Sequence, residues 1–87
     1  MIYLDNAATT RTAPGVVEAM LPYFSEHYGN AGSIYGLGSK SKSALNKARE
    51  TIAGTLGAQA NEIYFTAGGT ESDNWAIKAT AEAYASK

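Results

Sequence analysis

The residues with the clearest capacity for chemistry are Phe65-Thr66-Ala67-Gly68-Gly69-Thr70-Glu71-Ser72. They join an apolar, β-prone run to the start of a helical pattern, and a helix start leaves its first N–H groups unpaired and pointing out of the turn. Those groups and the aligned peptide dipoles favour an anion, above all a phosphate. Gly68 and Gly69 let the backbone come close to such a group, and the Thr70 and Ser72 hydroxyls can add hydrogen bonds to it. The same residues also describe an ordinary helix start after a tight turn, with Thr70 or Ser72 as the N-cap. Pattern alone favours that plainer reading.

Other chemistries find less support. The turn has no lysine where a P-loop needs one and no glycine spacing of the dinucleotide-binding kind. His27, at the end of a helical stretch, reads as a structural residue or a partner of the helix dipole. The carboxylates Asp5, Glu18, Glu26, Glu50, Glu62, Glu71, Asp73 and Glu82 include no pair whose placement demands acid–base work, and Glu71 and Asp73 suit a helix N-terminus. No nucleophile has an identifiable base, so no catalytic residue is assigned. No metal site is expected, because the chain has no cysteine and one histidine. Trp75 and the tyrosines read as core or interface residues, with Tyr35 in a glycine-rich loop the least typical.

The elements that must position this turn are partly legible. Ile2-Tyr3-Leu4 is a short β-prone run leading into a small polar loop, Asp5 to Thr10, that could serve as an arm. Val17, Met20, Leu21 and Phe24 predict an amphipathic helix over 14–27, opened by Pro14. Pro22 lacks an N–H and crowds the preceding turn, so it predicts a break with a second short helical piece beginning there. Residues 29–38 contain four glycines and no stable period, which predicts a loop able to pass close to something. From Ser39, the apolar residues Ala44, Leu45, Ala48, Ile52, Ala53 and Leu56 mark one helix face, with Lys40, Lys42, Lys47, Arg49 and Glu50 on a solvated one. Gly57 supplies the stop. Glu62 to Thr66 is a strand candidate, and residues 71–86 predict a helix apolar on more than one side, as if pressed between layers.

At 87 residues, 45% hydrophobic and 17% charged, the composition is that of a folded domain with at most one core. A chain of this size buries only about 60% of its unfolded surface, so it is marginal unless something else completes its core. Seven basic and eight acidic side chains without a run of either sign give no electrostatic footprint for nucleic acid or an anionic membrane. The start lacks the basic and apolar stretches of a secretory signal, and no apolar run is long enough to span a bilayer, so a cytoplasmic protein is the expectation. Residues 80–87 still read as helix without a stop, and the chain reads as cut rather than finished.

Three segments together carry a resemblance: Tyr3-Leu4-Asp5-Asn6-Ala7-Ala8-Thr9-Thr10, Tyr28-Gly29-Asn30-Ala31-Gly32-Ser33, and Phe65 through Ser72 continued by Asp73-Asn74. In this order and spacing they resemble the N-terminal part of cysteine desulfurases of the iron–sulfur assembly type, within the class V aminotransferases. The resemblance implies an α/β protein, a part of the aspartate-aminotransferase-like fold that uses pyridoxal 5'-phosphate. It also implies an N-terminal arm over 1–14, and over 15–87 helices and the first strand–turn–helix unit leading into the large domain. By the same resemblance Gly68, Gly69 and Thr70 bind the cofactor phosphate, and the Asp5–Thr10 arm and Asn30–Gly36 loop lie near the active-site mouth.

The implied reaction takes sulfur from L-cysteine, leaving L-alanine and an enzyme persulfide for sulfur-acceptor or scaffold proteins, in a homodimer. Without a cysteine, and with no lysine in a family-like Schiff-base motif, these 87 residues are expected to be inactive alone. Ala31 and Tyr35 stand where many relatives have proline and histidine. Another class V enzyme, such as a selenocysteine lyase, a cysteine or cystine lyase or an aminotransferase, would share the phosphate turn. A non-catalytic module that folds alone and binds a partner through its last helix is the reading from a different class.

Overall fold

The computed structural model describes residues 1–86, which form two compact units, one ending at Ala48 and the other beginning at Arg49. In the first unit the chain opens without regular structure. A turn at Asp5 is closed by the Ala8 N–H on the Asp5 carbonyl at 3.0 Å, and the Tyr3 hydroxyl donates to the same oxygen at 2.8 Å. The β-prone Ile2-Tyr3-Leu4 forms no strand, since a ladder needs a neighbouring strand and none pairs with it among the described residues.

Helix α1 spans Pro14–Met20 and α2 spans Pro22–Ser25. Pro14 occupies the first helical position, where a missing N–H costs nothing. The expected break falls at Pro22: Leu21 still donates to the Val17 carbonyl at 3.1 Å, and the proline, with no N–H to continue the series, starts the next helix. The helical stretch ends at Ser25, two residues short of the predicted limit. Tyr23 and His27 then meet edge to face, ring centroids 5.7 Å apart.

Helix α3 spans Gly36–Leu56, three residues more at its start than predicted, and so takes in the end of the glycine-rich loop. Within that loop the Asn30 side chain accepts the Gly32 N–H at 2.9 Å, and the Asn30 carbonyl accepts the Ser33 N–H at 2.9 Å. The loop then lies directly against the first turn of α3. A Cβ on Gly38 would collide with the Ser33 hydroxyl and the Asn30 carbonyl, and one on Gly29 would sit 2.6 Å from the Leu37 backbone. The close approach foreseen for this glycine cluster is thus made, at these two glycines, to the chain's own next helix.

In the second unit, α3 stops at Gly57, whose φ of +66° is the left-handed conformation that glycine adopts without strain. Ala58 N–H reaches back to the Ala53 carbonyl at 2.9 Å, the six-residue closure of a Schellman turn. Ala53 is 2% exposed and is the buried hydrophobic residue among those described. A single 3₁₀ turn, Ala60–Glu62, follows, with Glu62 accepting the Gln59 N–H at 2.7 Å.

The strand predicted at 62–66 does not form among the described residues. Glu62 belongs to the 3₁₀ turn, and although Ile63 is extended (φ −101°, ψ 125°), no strand ladder exists among the described residues. The segment keeps the alternation of a strand while lacking its partner. Phe65 lies under the Arg49 guanidinium, and Tyr64 packs edge to face on Trp75. Helix α4 spans Gly69–Ala83, beginning earlier and ending sooner than predicted, and buries none of its residues. The expectation of a helix pressed between layers is not met within this chain. Residue 87, part of the predicted helical end, lies outside the described residues.

Candidate functional site

The turn at 66–72 is organised by three side chains. Ala67 N–H donates to the Glu71 carboxylate (Oε2) at 2.9 Å. The Thr66 hydroxyl is 3.1 Å from the Gly68 carbonyl and 2.6 Å from the Ser72 hydroxyl. A hydroxyl has one proton, so if Thr66 donates to Gly68, Ser72 must donate to Thr66. The Gly68 carbonyl also accepts the Ser72 N–H at 3.2 Å, the first bond of the α4 ladder. Farther along the turn, the Asn74 side chain donates to the Thr70 carbonyl at 2.8 Å.

This arrangement settles which residue caps the helix. The N-cap is Gly68, not Thr70 or Ser72, and no side chain caps the helix. Gly69, Thr70 and Glu71 are therefore the first three helical residues, and their N–H groups meet no acceptor among the described residues. The Thr70 hydroxyl is likewise without a hydrogen bond there. Ser72, expected to help with an anion, turns its hydroxyl to Thr66.

Gly68 and Gly69 serve no internal packing need. Both are exposed, and a Cβ on either would meet nothing of the chain within 4 Å. This contrasts with Gly29 and Gly38, where the chain itself fills the space. Three convergent N–H donors, a free hydroxyl, two glycines facing open space and the positive end of a four-turn helix dipole make a donor set suited to a phosphate.

An open cavity of about 490 Å³ lies along the neighbouring face, lined by Glu62, Tyr64, Thr66, Ser72, Trp75 and further along α4 by Ala79. Neither Gly69 nor Thr70 lines it. Among the described residues no group of histidine and carboxylate side chains could hold a metal ion. No helix among them is long and apolar enough to cross a membrane.

Two residues make contacts that their types and spacing do not predict. Charge alone predicts Glu71 at the helix end, whereas its carboxylate tethers Ala67. With Gly68 as the N-cap, Glu71 stands three residues on, where a glutamate commonly reaches back to a backbone N–H at the helix start; here it reaches one residue further, to Ala67. Arg49, placed on the solvated face of α3, is half-buried, with Nε donating to the Ile63 carbonyl at 3.0 Å and its guanidinium 5.2 Å from the Phe65 ring centroid.

Comparison with known proteins gives this geometry a family. The cysteine desulfurase IscS of Methanosarcina thermophila is 61% identical over 80 residues, which is 92% of this chain and 20% of that protein. The IscS of Clostridium botulinum (strain Hall) is 52% identical over 86 residues, 99% of this chain and 21% of that protein. A cysteine desulfurase of Rhodobacter capsulatus is 55% identical over 78 residues. This chain thus spans about a fifth of the length of these relatives. Among solved structures, a NifS-like protein superposes with a TM-score of 0.91 at 42% identity, over 98% of this chain and 23% of that one. At that identity and coverage the chain shares the fold of the matching part of that structure. Residues 2–87 match the aminotransferase class-V family, and the chain belongs to that family.

Proposed function

We propose that this chain provides the cofactor-phosphate turn of a pyridoxal-phosphate-dependent cysteine desulfurase. The observation that carries the reading is the start of α4. The Ala67 N–H and the Gly68 carbonyl are satisfied from within the turn, while three successive N–H groups and the Thr70 hydroxyl are left for an outside acceptor. Relatives 52–61% identical in this region bear the name cysteine desulfurase, which turns a general phosphate reading into a particular one.

Gly69 and Thr70 would hold the phosphate through backbone N–H, with the Thr70 hydroxyl as a further donor and Gly68 leaving room for the approach. Each hydrogen bond to a charged group contributes about 1.5–3 kcal/mol. When bound, pyridoxal phosphate supplies a ring that takes up the electron pair left as the substrate loses its Cα proton. The residues of this chain anchor that group. The nucleophilic cysteine and the cofactor-binding lysine belong to other parts of a full-length enzyme, because these 87 residues contain no cysteine and no lysine in a matching context.

The whole enzyme in this reading is a cytoplasmic homodimer that takes sulfur from L-cysteine, forms L-alanine and an enzyme persulfide, and passes the sulfur to an acceptor or scaffold protein. Residues 1–14 act as an arm, and the Asp5–Thr10 and Asn30–Gly36 segments border the mouth of the active site. A chimera in which this chain replaces the matching segment of the Methanosarcina thermophila relative tests the assignment. Incubation with L-cysteine should give alanine and protein persulfide in equal amounts. Pyruvate or a transaminated keto acid as the main product would overturn it.

A further inference from the structure

We infer that Glu71 is a positioning residue for the cofactor phosphate, and that it acts as a hydrogen-bond acceptor rather than as a charge. The inference rests on the proposed role of the α4 start. Glu71 lies in the first turn of α4, where its backbone N–H points with those of Gly69 and Thr70 towards the phosphate position. Its carboxylate does something different: Oε2 takes the Ala67 N–H at 2.9 Å, one residue before the N-cap. That bond spans the whole Ala67–Thr70 turn and fixes the approach of the chain to the helix. It also removes the carboxylate as an internal cap for the N–H groups that a phosphate needs.

A negative charge in the first turn occupies the same positive helix end that would attract a phosphate. The two properties of the carboxylate therefore oppose each other. The acceptor favours phosphate binding by ordering the turn, and the charge disfavours it by competing for the dipole. Two substitutions separate them. Glu71→Gln keeps the reach and an acceptor oxygen and removes the charge. Glu71→Asp keeps the charge and withdraws the acceptor by about 1.5 Å, one carbon–carbon bond, which takes it beyond hydrogen-bonding distance of Ala67.

In the chimera with the Methanosarcina thermophila relative, Glu71→Gln should bind pyridoxal phosphate as tightly as the parent or about two- to five-fold more tightly. Glu71→Asp should bind it about ten-fold more weakly. Pyridoxal, which lacks the phosphate, should bind equally to all three proteins. Hydrogen exchange at the Ala67 amide should be slow in the parent and in Glu71→Gln and faster in Glu71→Asp. Weaker binding in Glu71→Gln with unchanged binding in Glu71→Asp would overturn the inference, as would equal effects of both or a parallel loss of pyridoxal. Thr70→Val provides the separating control. If it too leaves pyridoxal phosphate binding unaltered, the phosphate assignment itself fails; if it weakens binding while both Glu71 variants are silent, only the role of Glu71 is lost.

Discussion

Arg49 and Phe65, sixteen positions apart in sequence, form one stacked unit: the guanidinium lies 5.2 Å from the ring centroid while its Nε donates to the Ile63 carbonyl at 3.0 Å. The pair ties α3 to residues 63–65, which lead into the turn at 66–72. An arginine can do both at once because its planar fork stacks and donates in fixed directions, whereas a lysine is a point charge on a flexible stem.

Arg49→Lys should therefore loosen residues 63–66 despite conserving charge. A hydrogen bond from a charged donor contributes about 1.5–3 kcal/mol and a half-exposed cation–π contact about 0.5–1 kcal/mol, and a lysine would keep only part of either. The expected loss is about 1–2 kcal/mol, read as faster hydrogen exchange at Tyr64 and Phe65 in the chimera. Unchanged exchange would show that the segment is held by other contacts.

The glycines of α3 should respond in opposite senses. Gly38→Ala drives a methyl group into the Ser33 hydroxyl and the Asn30 carbonyl, and overpacking of this kind costs about 1–3 kcal/mol. Gly54→Ala places its methyl in open space within the same helix and should stabilise by about 0.5–1 kcal/mol through helix propensity. Thermal unfolding of the two chimeras should move in opposite directions from the parent.

Thr70→Val preserves shape and removes the free hydroxyl, so pyridoxal phosphate should bind about ten-fold more weakly with no change in thermal stability of the cofactor-free protein. Gly69→Ala makes a sharper separation. Its Cβ meets nothing in the chain, so folding should be intact or slightly improved, while the added methyl crowds the approach of the phosphate. Equilibrium titration of cofactor-free chimeras measures both effects. Undiminished affinity in both variants would remove the phosphate from this turn.

The isolated 87-residue chain should lack a cooperative thermal transition and should bind an apolar dye. Ala53 is its one buried hydrophobic residue among those described, and large apolar side chains such as Ile34 (97% exposed), Phe24 (72%) and Ile77 (71%) face outward. Circular dichroism through a temperature ramp tests this directly. A single steep melt with calorimetric and van't Hoff enthalpies in agreement would count against it.

Much of the local structure was legible in the residues themselves. Pro14 opening α1, the division at Pro22 and the stop at Gly57 all follow from covalent restrictions on one residue's φ or N–H, which act whatever the rest of the chain does. The suitability of Gly68-Gly69-Thr70 for an anion is of the same kind, since it needs only a helix that starts there. The residues themselves point to Thr70 or Ser72 as N-cap, because hydroxyl side chains are good caps, whereas Gly68 takes that place with no side chain capping the helix.

Contacts between distant positions were decided by the path of the folded chain. Gly29 and Gly38 are required because a loop returns onto α3, Arg49 is half-buried because residues 63–65 pass beside it, and the Ser72 hydroxyl is taken by Thr66. The strand read at 62–66 marks the same boundary from the other side. Alternation between Tyr64 and Phe65 is written in the residues, but a strand exists only where a second backbone accepts and donates its hydrogen bonds. Sequence by itself determined which conformations each residue could take and where an anion would be welcome; tertiary structure alone decided which backbone and side-chain groups find partners among the described residues and which N–H groups at the start of α4 do not.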